Sequence, residues 1–237
     1  MVHGAAVLRL HLLSAFTLVC VLAAHGAPAF AEAPPATAEP ASPVVRGLSW
    51  DMLGGGVPQS GALLQVEAGF SALPRVSYHH TLRRGFSIGG QVGLDYGYYR
   101  PQKGFLERVF FAAPIRWTVH RDSQWSVGFQ AAPGVALGLF DGLDLGLMAA
   151  LGGSFAYTLE NRIIIGGGVE LPMLLNIPTS DRRSVSWTVP ILAGPLAEFH
   201  ITPPLALTLD TKMGVLLDTA VGARFAFKLM VGAAYRM

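Results

Sequence analysis

From residue 62 onward, large apolar side chains recur at every second position, with small or polar residues between them. In 143–160 the odd positions are Leu143, Leu145, Leu147, Ala149, Leu151, Gly153, Phe155, Tyr157 and Leu159. The even positions run from Asp144 through Gly146, Met148, Ala150, Gly152, Ser154, Ala156 and Thr158 to Glu160. A period of two is the strand signal, because successive side chains point to opposite faces of a sheet. A helix would scatter both sets around its surface and would carry three interior glycines at roughly 1 kcal/mol each.

The same odd phase runs through 125–139, 185–201, 205–217 and 221–235. Segments 109–119 and 163–177 follow it with exceptions such as Phe110 and Ile164, and three earlier runs (62–70, 74–82 and 86–98) use the even phase. Short turn signals separate the runs: Arg83-Arg84-Gly85, Arg121-Asp122-Ser123, Asn161-Arg162 and Pro203-Pro204 at one end of the strands. Ala72-Leu73, Tyr99 to Glu107, Asp141-Gly142, Thr179 to Arg183 and Asp218-Thr219 lie at the other. The pattern predicts an all-β chain of about ten antiparallel strands, with eight and twelve as the neighbouring even counts.

The direction of the apolar face decides between two architectures. In a soluble up-and-down barrel of the lipocalin kind, the polar face meets water and carries many Lys, Glu and Asp. Here that second face is dominated by Gly, Ala and Ser, and only 14% of the chain is charged against 51% apolar, whereas soluble domains hold roughly 25% charged residues. The large apolar face is therefore expected to point outward to lipid, as in an antiparallel up-and-down transmembrane β-barrel. Closure would leave no backbone group unpaired in hydrocarbon. Trp117, Trp125, Phe86, Tyr157 and Phe199 fall near one set of turns, and Tyr96, Tyr98, Phe140 and Trp187 near the other, the distribution of interfacial aromatic belts.

The N-terminus reads as an export signal. Arg9 and His11 precede the apolar run LLSAFTLVCVLAA, and Ala29-Phe30-Ala31 supplies a small-x-small cleavage site. Residues 1–31 are assigned to a cleaved signal peptide, 32–60 to a Pro/Ala/Gly-rich periplasmic tether, and 61–237 to the barrel. The single cysteine, Cys20, lies in the signal peptide; bulky Val19 before it disfavours lipidation. The mature chain is then expected to hold no disulfide and no thiolate metal site.

With this signal, the alternating strands of roughly residues 62–237 and the C-terminal FAFKLMVGAAYRM, the sequence resembles small bacterial outer-membrane β-barrel proteins. Phe225, Phe227, Leu229, Val231, Ala233 and Tyr235 match the phase of the terminal strand that the outer-membrane assembly machinery reads in that class. Met237 stands where the class has a final aromatic residue. The resemblance implies a Gram-negative outer membrane, folding from the periplasm, and outer-membrane lipid as the surrounding partner. It assigns neither a subfamily nor an oligomeric state.

Charged residues on the inward phase form the principal candidate set: Glu67, Arg75, His79, Asp95, Arg116, His120, Glu170, Glu198, His200, Asp210, Lys212, Arg224 and Lys228. Two readings are open. One is a buried ion-pair network, since an unpaired charge in a narrow barrel is costly; the other is a water-filled, weakly selective channel. His79, His120 and His200 share one end, but their spacing is not diagnostic of a metal or a general base, and no cofactor is expected. Arg100, Lys103 and Arg108 in one outer loop, and Arg182 and Arg183 in another, are candidate contacts to lipopolysaccharide phosphates; solvated loop charges are the simpler reading. Asp141 and Asp181 also sit in predicted outer loops, yet no serine–histidine pairing is legible. A net charge of +2 gives no support to a nucleic-acid surface, and Gly54-Gly55-Gly56 lacks the Lys-Ser/Thr of a phosphate loop. The expected function is that of a non-enzymatic integral outer-membrane protein, structural or a narrow pore. The alternatives are a barrel enzyme acting on outer-membrane lipid or peptide, and a soluble periplasmic lipocalin-like binder.

Overall fold

A computed structural model describes residues 61–70, 72–83, 85–95, 108–121, 124–138, 144–159, 163–178, 185–202, 204–219 and 222–237. The side chains of residues 72, 73, 95, 121 and 178 are not among those described. The expectations for the signal peptide, the tether, and Tyr96, Tyr98 and Phe140 lie outside these residues. The strands are β1 (Ala62–Phe70), β2 (Ala72–Arg83), β3 (Phe86–Asp95), β4 (Arg108–Ala112), β5 (Ile115–Arg121) and β6 (Trp125–Gly138). They continue with β7 (Asp144–Leu159), β8 (Ile163–Pro178), β9 (Ser186–Thr202), β10 (Leu205–Asp218) and β11 (Gly222–Arg236).

Each strand pairs antiparallel with its neighbours, and β1 pairs with β11 from Leu63↔Arg236 to Phe70↔Leu229, so the sheet closes into a barrel. The eleven strands fill ten barrel positions. β4 and β5 are two halves of one position, since both lie between β3 and β6. The break falls at Ala113-Pro114, where proline has no N–H to give. The gap is bridged on both sides: Gly89 N donates to Pro114 O at 2.8 Å, and Ala113 N to Pro133 O at 2.8 Å. The ten-strand expectation holds, and the interrupted strand is the feature it lacked.

The wall carries the predicted alternation. Outward positions expose Val66, Tyr78 and Ile88 in the even phase, and Phe129, Leu147 and Ile191 in the odd phase. The two exceptions, Phe110 and Ile164, point inward and are buried. Outward aromatics pack along the wall, with Trp125 at 4.7 Å from Tyr157 and 6.5 Å from Phe155, ring centre to ring centre. The rings of Phe129 and Phe155 cover the outward glycines Gly153 and Gly167, directly opposite them in register. Inward glycines serve curvature. A Cβ on Gly214 would overlap the Ile191 carbonyl oxygen of β9, so a side chain there would force the strands apart.

Candidate functional site

The alternation that sends large apolar residues outward sends the charged residues into the barrel. Ten of the thirteen predicted interior residues are buried: Glu67, Arg75, His79, Arg116, Glu170, Glu198, His200, Asp210, Lys212 and Lys228. Four are carboxylates (Glu67, Glu170, Glu198, Asp210) and four are Lys or Arg (Arg75, Arg116, Lys212, Lys228), so the formal charges of this buried set cancel, histidines aside.

The centre of the set is a four-membered network. Lys228 Nζ on β11 lies 2.7 Å from Glu170 Oε2 and 2.6 Å from Asp210 Oδ2. Lys212 Nζ on β10 lies 2.5 Å from Asp210 Oδ1 and 3.4 Å from Glu170 Oε2. Lys212 and Lys228 stand directly opposite each other in the β10–β11 register, where two like charges would repel. The two carboxylates remove that repulsion. Asp210 shares the inward face with Lys212, two residues along the strand. Glu170 comes from β8 and reaches past β9 to both lysines. Lys228 is 2% exposed and Lys212 3%, so both ammonium groups depend on these carboxylates rather than on bulk solvent.

A second pair is local. Glu67 and Arg75 are register partners on β1 and β2; Arg75 Nε donates to Glu67 Oε2 at 2.7 Å, and a terminal guanidinium nitrogen contacts the same oxygen. Gly232 on β11 makes room for this pair. A Cβ there would sit 2.6 Å from Glu67 Cγ and 3.0 Å from Thr208 Oγ1. Across the next seam Thr208 faces Glu198, whose Oε1 lies 2.8 Å from His200 Nε2. Polar groups thus continue round the wall from β2 to β9.

The remaining interior is more apolar than its small-and-polar sequence pattern implied. Leu63, Ala206 and Ala234 form one buried cluster near the chain terminus, and Ala156, Ile164 and Leu196 another. Leu192, Leu216 and Ala226 pack at the opposite end of the network. Occasional large residues on the inward phase fill the interior, and glycines and alanines opposite them give the space.

Three of the predicted interior residues fall outside the buried set. His120 is exposed, because a register shift between Thr118 and His120 disturbs the alternation at the end of β5. Arg224 is exposed near the start of β11. The Asp95 side chain is not among those described. The three histidines therefore do not share one environment, and among the described residues no group of three or more His, Cys, Asp or Glu is placed to hold a metal. Of the candidate lipopolysaccharide contacts, Arg100, Lys103, Arg182 and Arg183 lie outside the described residues. Arg108 opens β4, half-buried, between Asp95 and Gly138. In the C-terminal strand Phe225, Val231 and Tyr235 are exposed on the outer wall; Phe227 and Leu229 share their phase, and Phe227 packs 5.9 Å from Phe70. No family model, no curated protein and no solved structure matches the chain. Its closed antiparallel barrel and buried charge network are therefore the ground for a functional reading.

Proposed function

We propose that this protein is an integral outer-membrane β-barrel with a structural, non-catalytic role, its interior sealed by paired charges. One observation carries the reading: the apolar and charged surfaces are inverted relative to a water-soluble domain. Among the described residues the wall exposes large apolar side chains from nearly every strand, while four carboxylates and four cations are buried inside. Soluble proteins seldom expose apolar patches beyond a few hundred Å², and an unpaired interior charge would be strongly destabilising. The buried network supports a sealed barrel over a narrow pore, because lining groups in a water-filled channel stay accessible to water. Burial of Glu198 and His200, an acid–histidine pair in contact, counts against an enzyme that works through them, since substrate must reach its catalytic groups. The exposed apolar wall counts against a lipocalin-like binder.

Flotation tests the membrane reading. Mature protein refolded with phospholipid vesicles is expected to float with them through a density gradient after a urea wash. Recovery of soluble, folded monomer without detergent or lipid would overturn it.

A further inference from the structure

Among the described residues, the β8–β9 seam is the place where two prolines meet across the wall. Pairing runs from Ile163↔Phe199 to Glu170↔Leu192, lapses, and resumes in the same register at Leu174↔Thr188. That register sets Pro172 opposite Pro190. Neither residue has an N–H, so their rung has no backbone donor from either side. The ladders on the far sides, Pro172 with Ala150 and Pro190 with Leu216, continue through these residues. The loss therefore falls on the shared seam, whose outer face is Leu171, Met173, Val189 and Ile191.

Behind the seam the interior is apolar. Inward positions just beyond Glu170 include Pro172 and Leu174 on β8, Met148 and Ala150 on β7, and Pro190 and Leu192 on β9, with Asn176 and Asp218 above them on the same phase. A Cβ on Gly146 would come 2.8 Å from Leu174 Cδ1 and 3.2 Å from Ala136 Cβ, which places the Leu174 side chain inside. Met148, Ala150, Pro172 and Leu174 stay half-buried, whereas the charged floor below them is buried. At the upper edge Thr188 Oγ1 donates to Asp218 Oδ2 at 2.7 Å. The stretch from Glu170 to Asn176 spans about 20 Å of strand, comparable to the roughly 15 Å of one bilayer leaflet's hydrocarbon.

We infer that the β8–β9 seam admits one acyl chain of a membrane phospholipid into this apolar compartment, with the Glu170–Lys228 pair as its floor. The inference rests on the membrane reading above. One rung of the seam has no donor on either strand, its outer face is apolar, and the half-buried inward positions between the charged floor and the Thr188–Asp218 edge are the apolar Met148, Ala150, Pro172 and Leu174.

The test reconstitutes the barrel in vesicles of phosphatidylethanolamine and phosphatidylglycerol doped with a phospholipid carrying a diazirine at its acyl end. Adducts are mapped by mass spectrometry. Wild type is expected to carry adducts at inward Met148 or Leu174 as well as at outward Leu147 and Leu175. The Pro172→Ala/Pro190→Ala variant, which restores both donors, is expected to lose inward adducts several-fold and keep the outward ones. Ala150→Trp, which fills the compartment from a half-buried inward position, is expected to do the same without relacing the seam. Adducts confined to the outer wall of wild type would overturn the inference and leave the membrane reading standing. Adducts on neither wall would overturn both. Inward labelling by a diazirine-bearing free fatty acid, but not by the phospholipid, would overturn the lateral route.

Discussion

Lys228 holds two carboxylates at once, and its register partner is another lysine. Removing it leaves Glu170 and Asp210 to share Lys212. Breaking a buried pair by deleting one partner costs about 3–5 kcal/mol, so Lys228→Ala is expected to lower unfolding stability by that order in urea titration of the refolded barrel. Lys228→Ala/Glu170→Ala should cost less than the sum of the two single changes, because the second deletion removes a charge already left short of a partner. Equal and additive losses would show that the two groups act independently. Glycines make a matched contrast. Gly214→Ala places a methyl into the Ile191 carbonyl, whereas a Cβ on Gly90 meets nothing within 4 Å. Gly214→Ala is expected to destabilise by about 1–3 kcal/mol, the range for overpacking. Gly90→Ala should be neutral or stabilise by about 0.4–1 kcal/mol. At this scale the sequence shows which charges face inward, since the phase of each strand is legible. It does not show partners. Local reasoning along one strand finds Asp210 with Lys212, but Glu170 reaches its lysines past an intervening strand, which only barrel curvature and register reveal.

Period two suffices to find the strands, because every strand has one face turned to the barrel's interior and one turned outward. It also identifies Phe110 and Ile164 as breaks in phase, and both are inward. Two features at the scale of elements stay hidden. The split into β4 and β5 depends on what Pro114 faces, and the proline pair across the β8–β9 seam exists only once the register is known. His120 is misplaced by the phase rule because a register shift precedes it. The alternation itself can be tested on β6, where Val135 is 39% exposed and Ala136 3%. Cys20 is the sole cysteine of the chain, so a Cys20→Ser background lets single cysteines be introduced cleanly. In vesicles, a lipid-soluble maleimide is expected to label Val135→Cys and to spare Ala136→Cys. Equal labelling would contradict an outward–inward alternation on this strand.

At the scale of the whole molecule, closure and charge balance act together. Joining β1 to β11 removes the free edges that hydrocarbon would not tolerate, and it also brings Lys228 on the last strand to Glu170 on β8. Among the described residues the interior then carries buried carboxylates and buried Lys and Arg in equal number, which lets a narrow barrel hold charge in compensated form. The most direct test is the ion conductance of purified, refolded wild-type protein in a planar bilayer, with folding and insertion verified in the same preparation. The account predicts silence, because the Glu170, Asp210, Lys212 and Lys228 network seals the interior. Steady stepwise conductance whose ion selectivity shifts on Lys228→Glu would contradict it, and would make the same charges the lining of an open pore.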